Sequence, residues 1–366
     1  MTEAPTAPVA KRSANAALLR DLIRAQVSLQ RVQMRLFRRD VLPALLRAER
    51  EIRQHVQALE LGTRTLNEVS RARIDALLSQ VQKVLVNAGG QASSGLTATL
   101  ADVANRERRM LVATAKRALP GILPATFTEI PVGAIAAAGE LSGAEMAGPW
   151  FQKWSAGSLA KVKGEVELGM VMGFDMSEIE RRVRAAMGSA VGDAQAITRT
   201  SVAKTAAVAK EEWLDSNKDV WKGQQWVATL DSRTCPTCGP LDGKVWTYKR
   251  DASAEGLVSE MPEVPRHPNC RCTRVPVAFS LEELEARARG KELVKPEPPP
   301  SARASQDGEV AGTLTWDDWL ADQPEGVQLS ILGPKGWKQW KSGGLLESFS
   351  PTGRRLNAQG LRRIAL

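Results

Sequence analysis

Histidine and cysteine are scarce in this chain, with two of the first and four of the second in 366 residues. So few imidazoles count against sites that need several, a His-Asn-His nuclease among them, because that chemistry uses one histidine as base and another as metal ligand. No G-x-x-x-x-G-K-[ST], G-x-S-x-G or H-E-x-x-H occurs, so the commonest nucleotide-hydrolase, serine-hydrolase and metalloprotease arrangements are missing. No apolar run reaches the roughly 18 to 20 residues of a membrane span. The opening MTEAPTAPVAKRSANAALLR also lacks the apolar stretch of a secretory signal, and the expectation is a protein made and kept in a cytoplasm.

The length allows about two domains and a sizeable core, so disulfides are not needed for folding. The net charge of +9 is concentrated. Residues 1–120 hold 20 Lys and Arg against 10 Asp and Glu, and the remainder is close to balance. Arg24, Arg31, Arg35 and Arg38 form a basic stripe beside an apolar one of Leu18, Leu22, Leu29, Val32 and Leu36. Such a stripe suits nucleic acid or an acidic protein surface, with a solvated helix face as the plain alternative.

The pattern divides the chain as follows. Residues 1–15 read as a disordered tail and 16–118 as a basic helical region, with a kink at Pro43. Helices are expected over 65–88 and 101–118, separated by the loop NAGGQASSG. The stretch 119–132 reads as a Pro-rich connector, followed by helical pattern over 133–216, where Ser177 and Glu180 are spaced for a capping box. From about Val220 short β-branched runs split by turn residues predict strand, turn, strand, with Asp242-Gly243 as a tight-turn dipeptide. Residues 279–294 read as a charged helix, 295–312 as a Pro-rich linker that does not pack, and 313–366 as a small C-terminal module. In that module TWDDWLADQ starts a capped helix and LGPKGWKQWKSGG forms a turn. The predicted class is mainly α, with a small α+β cysteine-knuckle module around a short hairpin-like insertion.

All four cysteines, Cys235, Cys238, Cys270 and Cys272, fall within one stretch that also holds His267. A C-x-x-C turn presents two thiolates to one ion, and a second knuckle about 30 residues later can complete a tetrahedron. Five candidates compete for four positions. On an extended strand Cys270 and Cys272 share a face and both could bind, with Arg271 turned away from them; alternatively His267 and Cys270 make the knuckle and Cys272 stands behind it. A structural Zn²⁺ is preferred, with disulfides as the alternative, because a cytoplasm keeps thiols reduced. A redox C-x-x-C lacks a surrounding βαβ pattern, and buried thiols or a catalytic metal remain as further readings. His55, in the basic helical region, reads as a surface residue.

The order of these motifs carries a resemblance. A helix with Arg199-Thr200, a strand with Trp226, D-x-R-T-C-x-x-C from Asp231 to Cys238, L-D-G at Leu241–Gly243 and the closing H-P-N-C-R-C together resemble the Mu F-like head morphogenesis family of tailed bacteriophages. The tail is similar to a module that follows this domain in some members, through Trp319, Leu320, Gln323, Pro324, Gln328, Leu332 and Gly333. What the resemblance implies is a head domain over 133–278 with the knuckle at 235–272, in a minor capsid protein with no established catalytic residue. It implies a place inside the virion near the portal vertex, reached from the host cytoplasm during assembly. The implied partners are the portal protein, with scaffold or major capsid protein and packaged double-stranded DNA as further candidates. A DNA-binding internal head protein and a metal-dependent nuclease or other hydrolase are the alternatives.

Overall fold

The computed structural model describes residues 14–59, 65–66, 69–118, 132–217, 219–249, 256–257, 261–279, 282–283, 303–306 and 308–343. Residues 1–13 of the tail expected over 1–15, residues 119–131 of the connector expected over 119–132, most of the charged helix over 279–294 and the end of the chain from 344 lie outside these residues.

Helices dominate. They are α1 (Ala14–Leu36), α2 (Leu42–Gln57), α3 (Arg71–Ala118), α4 (Val132–Met172) and α5 (Met176–Asp215). The break expected at Pro43 comes one turn earlier. Pro43 sits in the first turn of α2, where a missing N–H leaves no hydrogen bond unmade, and α1 instead widens into a π-helical turn at Phe37–Val41. Both Phe37 and Val41 are buried there.

The loop expected at NAGGQASSG does not form: α3 continues through it, about 72 Å long at the usual rise per residue. Its glycine serves packing rather than turning. A Cβ on Gly89 would lie 2.4 Å from Ser155 Oγ and 3.1 Å from the Phe151 carbonyl, so the bare backbone lets α4 come close. Ser155 Oγ then bonds the Leu85 and Phe151 carbonyls, at 3.0 Å each. Leu85, Ala88, Ala92 and Leu96 carry the buried stripe across the small residues.

Contacts Ser155–Leu85 on α3, and Trp154 Nε1 to the Ala190 carbonyl at 2.7 Å on α5, set α3, α4 and α5 as an antiparallel bundle. Arg106–Ser28 and Arg47–Gln91 lay α1 and α2 along α3. The turn before α5 is capped by Asp175, which accepts from Glu178 N at 2.9 Å. Ser177 donates to that carboxylate instead of capping, because the helix begins at Met176, two residues too early for a Ser177–Glu180 box.

Beyond α5 the chain makes an antiparallel sheet of order β3-β2-β1-β4, from β1 (Trp221–Val227), β2 (Val245–Lys249), β3 (Gly256–Leu257) and β4 (Thr273–Ala278). Gln224 is opposite Trp246 on one side and Pro276 on the other. Pro276 is tolerated because β4 is an edge strand. Val227 packs with Leu18, Leu19 and Leu22 of α1, whereas Trp226, on the other face of β1, packs with the cysteines. The strand, turn, strand expected from about Val220 is thus realised in β1 and β2, the two central strands.

Residues 303–310 correct the linker reading. They form a hairpin, β5 (Arg303–Ser305) with β6 (Gly308–Val310), and Arg303 is buried against the sheet module. Then come α6 (Trp316–Ala321), whose Thr315 and Asp318 complete a capping box, and α7 (Glu325–Lys341). The expected turn around LGPKG is a break inside α7, where Gly333 adopts φ 68°.

Candidate metal centre

Two short turns bring the cysteines together. In the first, Asp231 Oδ1 accepts from Arg233 N at 3.0 Å, and the Cys235 carbonyl accepts from Cys238 N and Gly239 N, both at 3.0 Å. The amides of this knuckle are thus satisfied locally, which leaves both side chains free to converge. In the second, Asn269 takes a left-handed φ of 62°, a conformation asparagine tolerates better than most residues. Cys270 N closes that turn on the His267 carbonyl at 3.1 Å.

Thr200 of α5 explains the Arg-Thr pair of the motif order. Its Oγ1 accepts from Asn269 N at 3.1 Å and holds the second turn against the helix. Arg271 lies between Cys270 and Cys272, just before β4, and points to Asp231. Asp242, in the L-D-G motif, accepts from Ala228 N at 2.8 Å, and Gly243 follows with φ 80°.

The result gathers every sequence-derived candidate in one place. Cys235, Cys238 and His267 offer donor atoms within 4.8 Å of one another, and so do Cys238, Cys270 and Cys272. Cys238 belongs to both groups. All four cysteines are buried and free, so no disulfide is formed. His55, by contrast, lies on α2 and takes no part.

The donor chemistry fits a thiophilic cation. His267 Nδ1 stands 2.8 Å from the Pro268 carbonyl, which can only accept, so Nδ1 carries a proton. Nε2 is the atom turned inward, 3.0 Å from Cys235 Sγ. An outward N–H held by a carbonyl is the usual orientation of a ligating imidazole. The thiols also disturb one another. A hydrogen bond from Cys238 and then the imidazole pull Cys235 down to about 4 against the cost of burial. Cys270 is likewise lowered, first through Cys238, while Cys238 and Cys272 are pushed up. Burial opposes the charge on His267, but bonds to Cys235 and Cys270 raise it to about 11. The cluster thus favours negative charge on Cys235 and Cys270 and disfavours it on Cys238 and Cys272, and a divalent cation would supply the positive charge that the latter two thiols need in order to ionise.

Around the cluster the packing is apolar, with Trp226, Ala228, Leu241 and Val264 against the sulfurs. Residues 160–275 match the family described as phage Mu protein F like protein. That segment is Mu F-like. It runs from α4 through α5 and the cysteine loops into β4, about a third of the chain, and leaves α1–α3 and the C-terminal module outside it. No curated protein and no solved structure matches the chain. Among the described residues no helix is long and apolar enough to cross a membrane.

The sequence did not disclose the polar ties between the Mu F-like segment and the rest of the chain. Arg303 reaches Asp242 across a separation of 61 residues, and Lys210 of α5 meets Glu107 of α3 in the interior. The only available signal was an Arg beside a Pro-rich stretch and one Lys on a helix of small residues.

Proposed function

We propose that this protein is a minor head protein of a tailed bacteriophage, acting in capsid assembly at the portal vertex. The match of residues 160–275 to the Mu F-like family carries this reading. Portal docking gives the long helices a role, since α1–α4 present extended faces outside the sheet module. Co-expression with the portal subunit tests it. The two should purify together, and a chain that associates with neither portal nor coat subunits would count against it.

Within this reading the cysteine cluster is a structural Zn²⁺ site. Five donors for four positions leave none open for substrate or water, which is the mark of a structural rather than catalytic zinc. The ion would tie the loop after β1 to the loop before β4 and so brace the central strand β1 against the edge strand β4. No reaction is assigned to it.

A second reading concerns DNA. Arg24, Arg31, Arg35 and Arg38 are exposed along one side of α1 and its π-turn, and none forms an ion pair among the described residues. Beside them Arg199 donates to Met34 sulfur, at 3.2 Å, and its charge is disfavoured first by burial and then by Arg233 and Arg271. A face of unneutralised guanidiniums suits the phosphates of packaged duplex. Filter binding across a salt series tests this: affinity should fall steeply with salt, and replacing Arg31, Arg35 and Arg38 by Gln should flatten the slope by about three counterions.

A further inference from the structure

The loop bearing Cys235 and Cys238 is used on both sides. Its inner side turns two thiols toward the second knuckle. Its outer side receives the C-terminal module. Trp316, fully buried, lies against Gly239, the residue after Cys238, so closely that a Cβ there would fall 2.2 Å from the indole.

Asp242 anchors this contact. Its Oδ2 accepts from Arg303 Nη1 at 2.7 Å and from Trp316 N at 2.9 Å, while Oδ1 accepts from Arg303 Nη2 at 3.1 Å as well as from Ala228 N. Leu230, also from the loop, is fully buried among Trp316, Trp319, Leu320 and Leu332. The Leu230 carbonyl accepts from Gln306 N at 2.8 Å. From Ala228 to Lys244 the loop has only one short 3-10 turn, Gly239–Leu241, so its shape depends on turns and on what the cysteines bind.

We propose that the metal held by the cysteine cluster latches residues 303–343 onto the Mu F-like segment, and that loss of the metal releases them. The inference rests on the metal reading of the cluster. Gly239 and Asp242 must be placed together for Trp316 and Arg303 to dock. Gly239 directly follows Cys238, the one residue common to both donor groups, and Asp242 lies four residues after it, at the end of the single 3-10 turn Gly239–Leu241. A buried ion pair tolerates misplacement poorly, because a partner that drifts leaves the other charge desolvated and unmatched. Freed thiols therefore unseat Asp242, Arg303 leaves with the hairpin, and the face of Trp316, Trp319 and Leu320 is exposed. Coupling of this kind is reciprocal, so a module that docks well must also hold the metal more tightly.

Hydrogen exchange on the full chain tests it, with metal content measured by elemental analysis on the same samples. The chain is compared as purified, after stripping with a chelator under reducing conditions, and as the variant Asp242→Asn. Stripping should speed exchange across 303–343 about tenfold, a mid-range coupling factor, while the amides of α3 and α4 stay protected. Asp242→Asn should open the same residues with metal still bound, and lose that metal to a competing chelator about tenfold faster by the same coupling. A metal-loaded protein whose module exchanges no faster after stripping overturns the latch and leaves the metal site standing. An Asp242→Asn protein that opens yet holds metal as tightly as the parent also overturns it. A protein that carries no metal and takes none up overturns both the latch and the site.

Discussion

Arg271 and Asp231 form a two-pronged ion pair across the base of the cysteine loop, with Nη2 2.6 Å from Oδ1 and Nη1 on Oδ2. Only 15% of the arginine side chain and 10% of the aspartate are exposed. Burial works against ionisation of Asp231, but the Arg271 bonds outweigh it and hold the carboxyl below its ordinary range. The pair therefore ties the base of the first knuckle to the second, beside whatever the cysteines hold. Asp231→Asn keeps the shape and removes the charge, and should cost about 2–3 kcal/mol, as for hydrogen bonds to charged groups. Chemical denaturation of metal-loaded protein measures this. An unchanged midpoint would mean that the metal alone closes the loop.

The five donors make unequal predictions. Cys238 stands in both donor groups, so Cys238→Ser should abolish metal binding. His267 and Cys272 belong to different groups and compete for the last position, so either His267→Ala or Cys272→Ser should retain a weakened site. Elemental analysis of the three variants decides the ligand set. Metal uptake should also release protons, because Cys238 and Cys272 hold theirs firmly in the free cluster. Titration calorimetry in buffers of different ionisation enthalpy reads that release.

Gly89 and Gly90, neighbours in α3, separate packing from propensity. An alanine at Gly89 meets Ser155 Oγ and the Phe151 carbonyl, whereas one at Gly90 meets nothing within 4 Å. Gly90→Ala should therefore stabilise by up to about 1 kcal/mol through helix propensity. Gly89→Ala should destabilise by about 1–3 kcal/mol through overpacking. Thermal melts of the two variants should move in opposite directions. If both stabilise, α4 is not held against α3 at this point.

The same glycines show why part of the fold was hidden in the sequence. A Gly-Gly pair between Asn, Ala and Ser has the local chemistry of a loop, and only the approach of Phe151 and Ser155 from 62 or more residues away reveals its use. Ser177 has the same lesson on a smaller scale, because its capping role was taken by Asp175 two residues earlier. The cysteine cluster was legible because its ligands sit in two short turns whose spacing is itself the signal. Arg303 was not, since its partner Asp242 is distant in sequence and its neighbourhood is rich in proline and polar residues. The mainly helical class and the small sheet could be read because apolar period and β-branched runs are local, while helix ends and long-range ion pairs depend on what packs against them.

Lys210 gives the last test, on how the helices hold the sheet. Its ammonium is buried, 2.7 Å from Thr273 Oγ1 at the start of β4 and 3.6 Å from Glu107 Oε1 of α3. Burial lowers its pKa against the pull of Glu107, and Glu107 and Thr273 are the groups that receive its ammonium. Lys210→Met would leave the buried Glu107 carboxylate with only the longer Arg106 contact, 3.8 Å, among the described residues, and should destabilise by about 3 kcal/mol, the low end of the usual cost of breaking a buried pair. Adding Glu107→Gln to Lys210→Met should recover much of that loss, because a neutral amide needs no counter-charge. Denaturation of the two single variants and the double variant closes the cycle. Additive losses would mean that α3 and β4 are joined through apolar contact alone, with Lys210 satisfied by Thr273 and the Arg274 carbonyl at 3.3 Å.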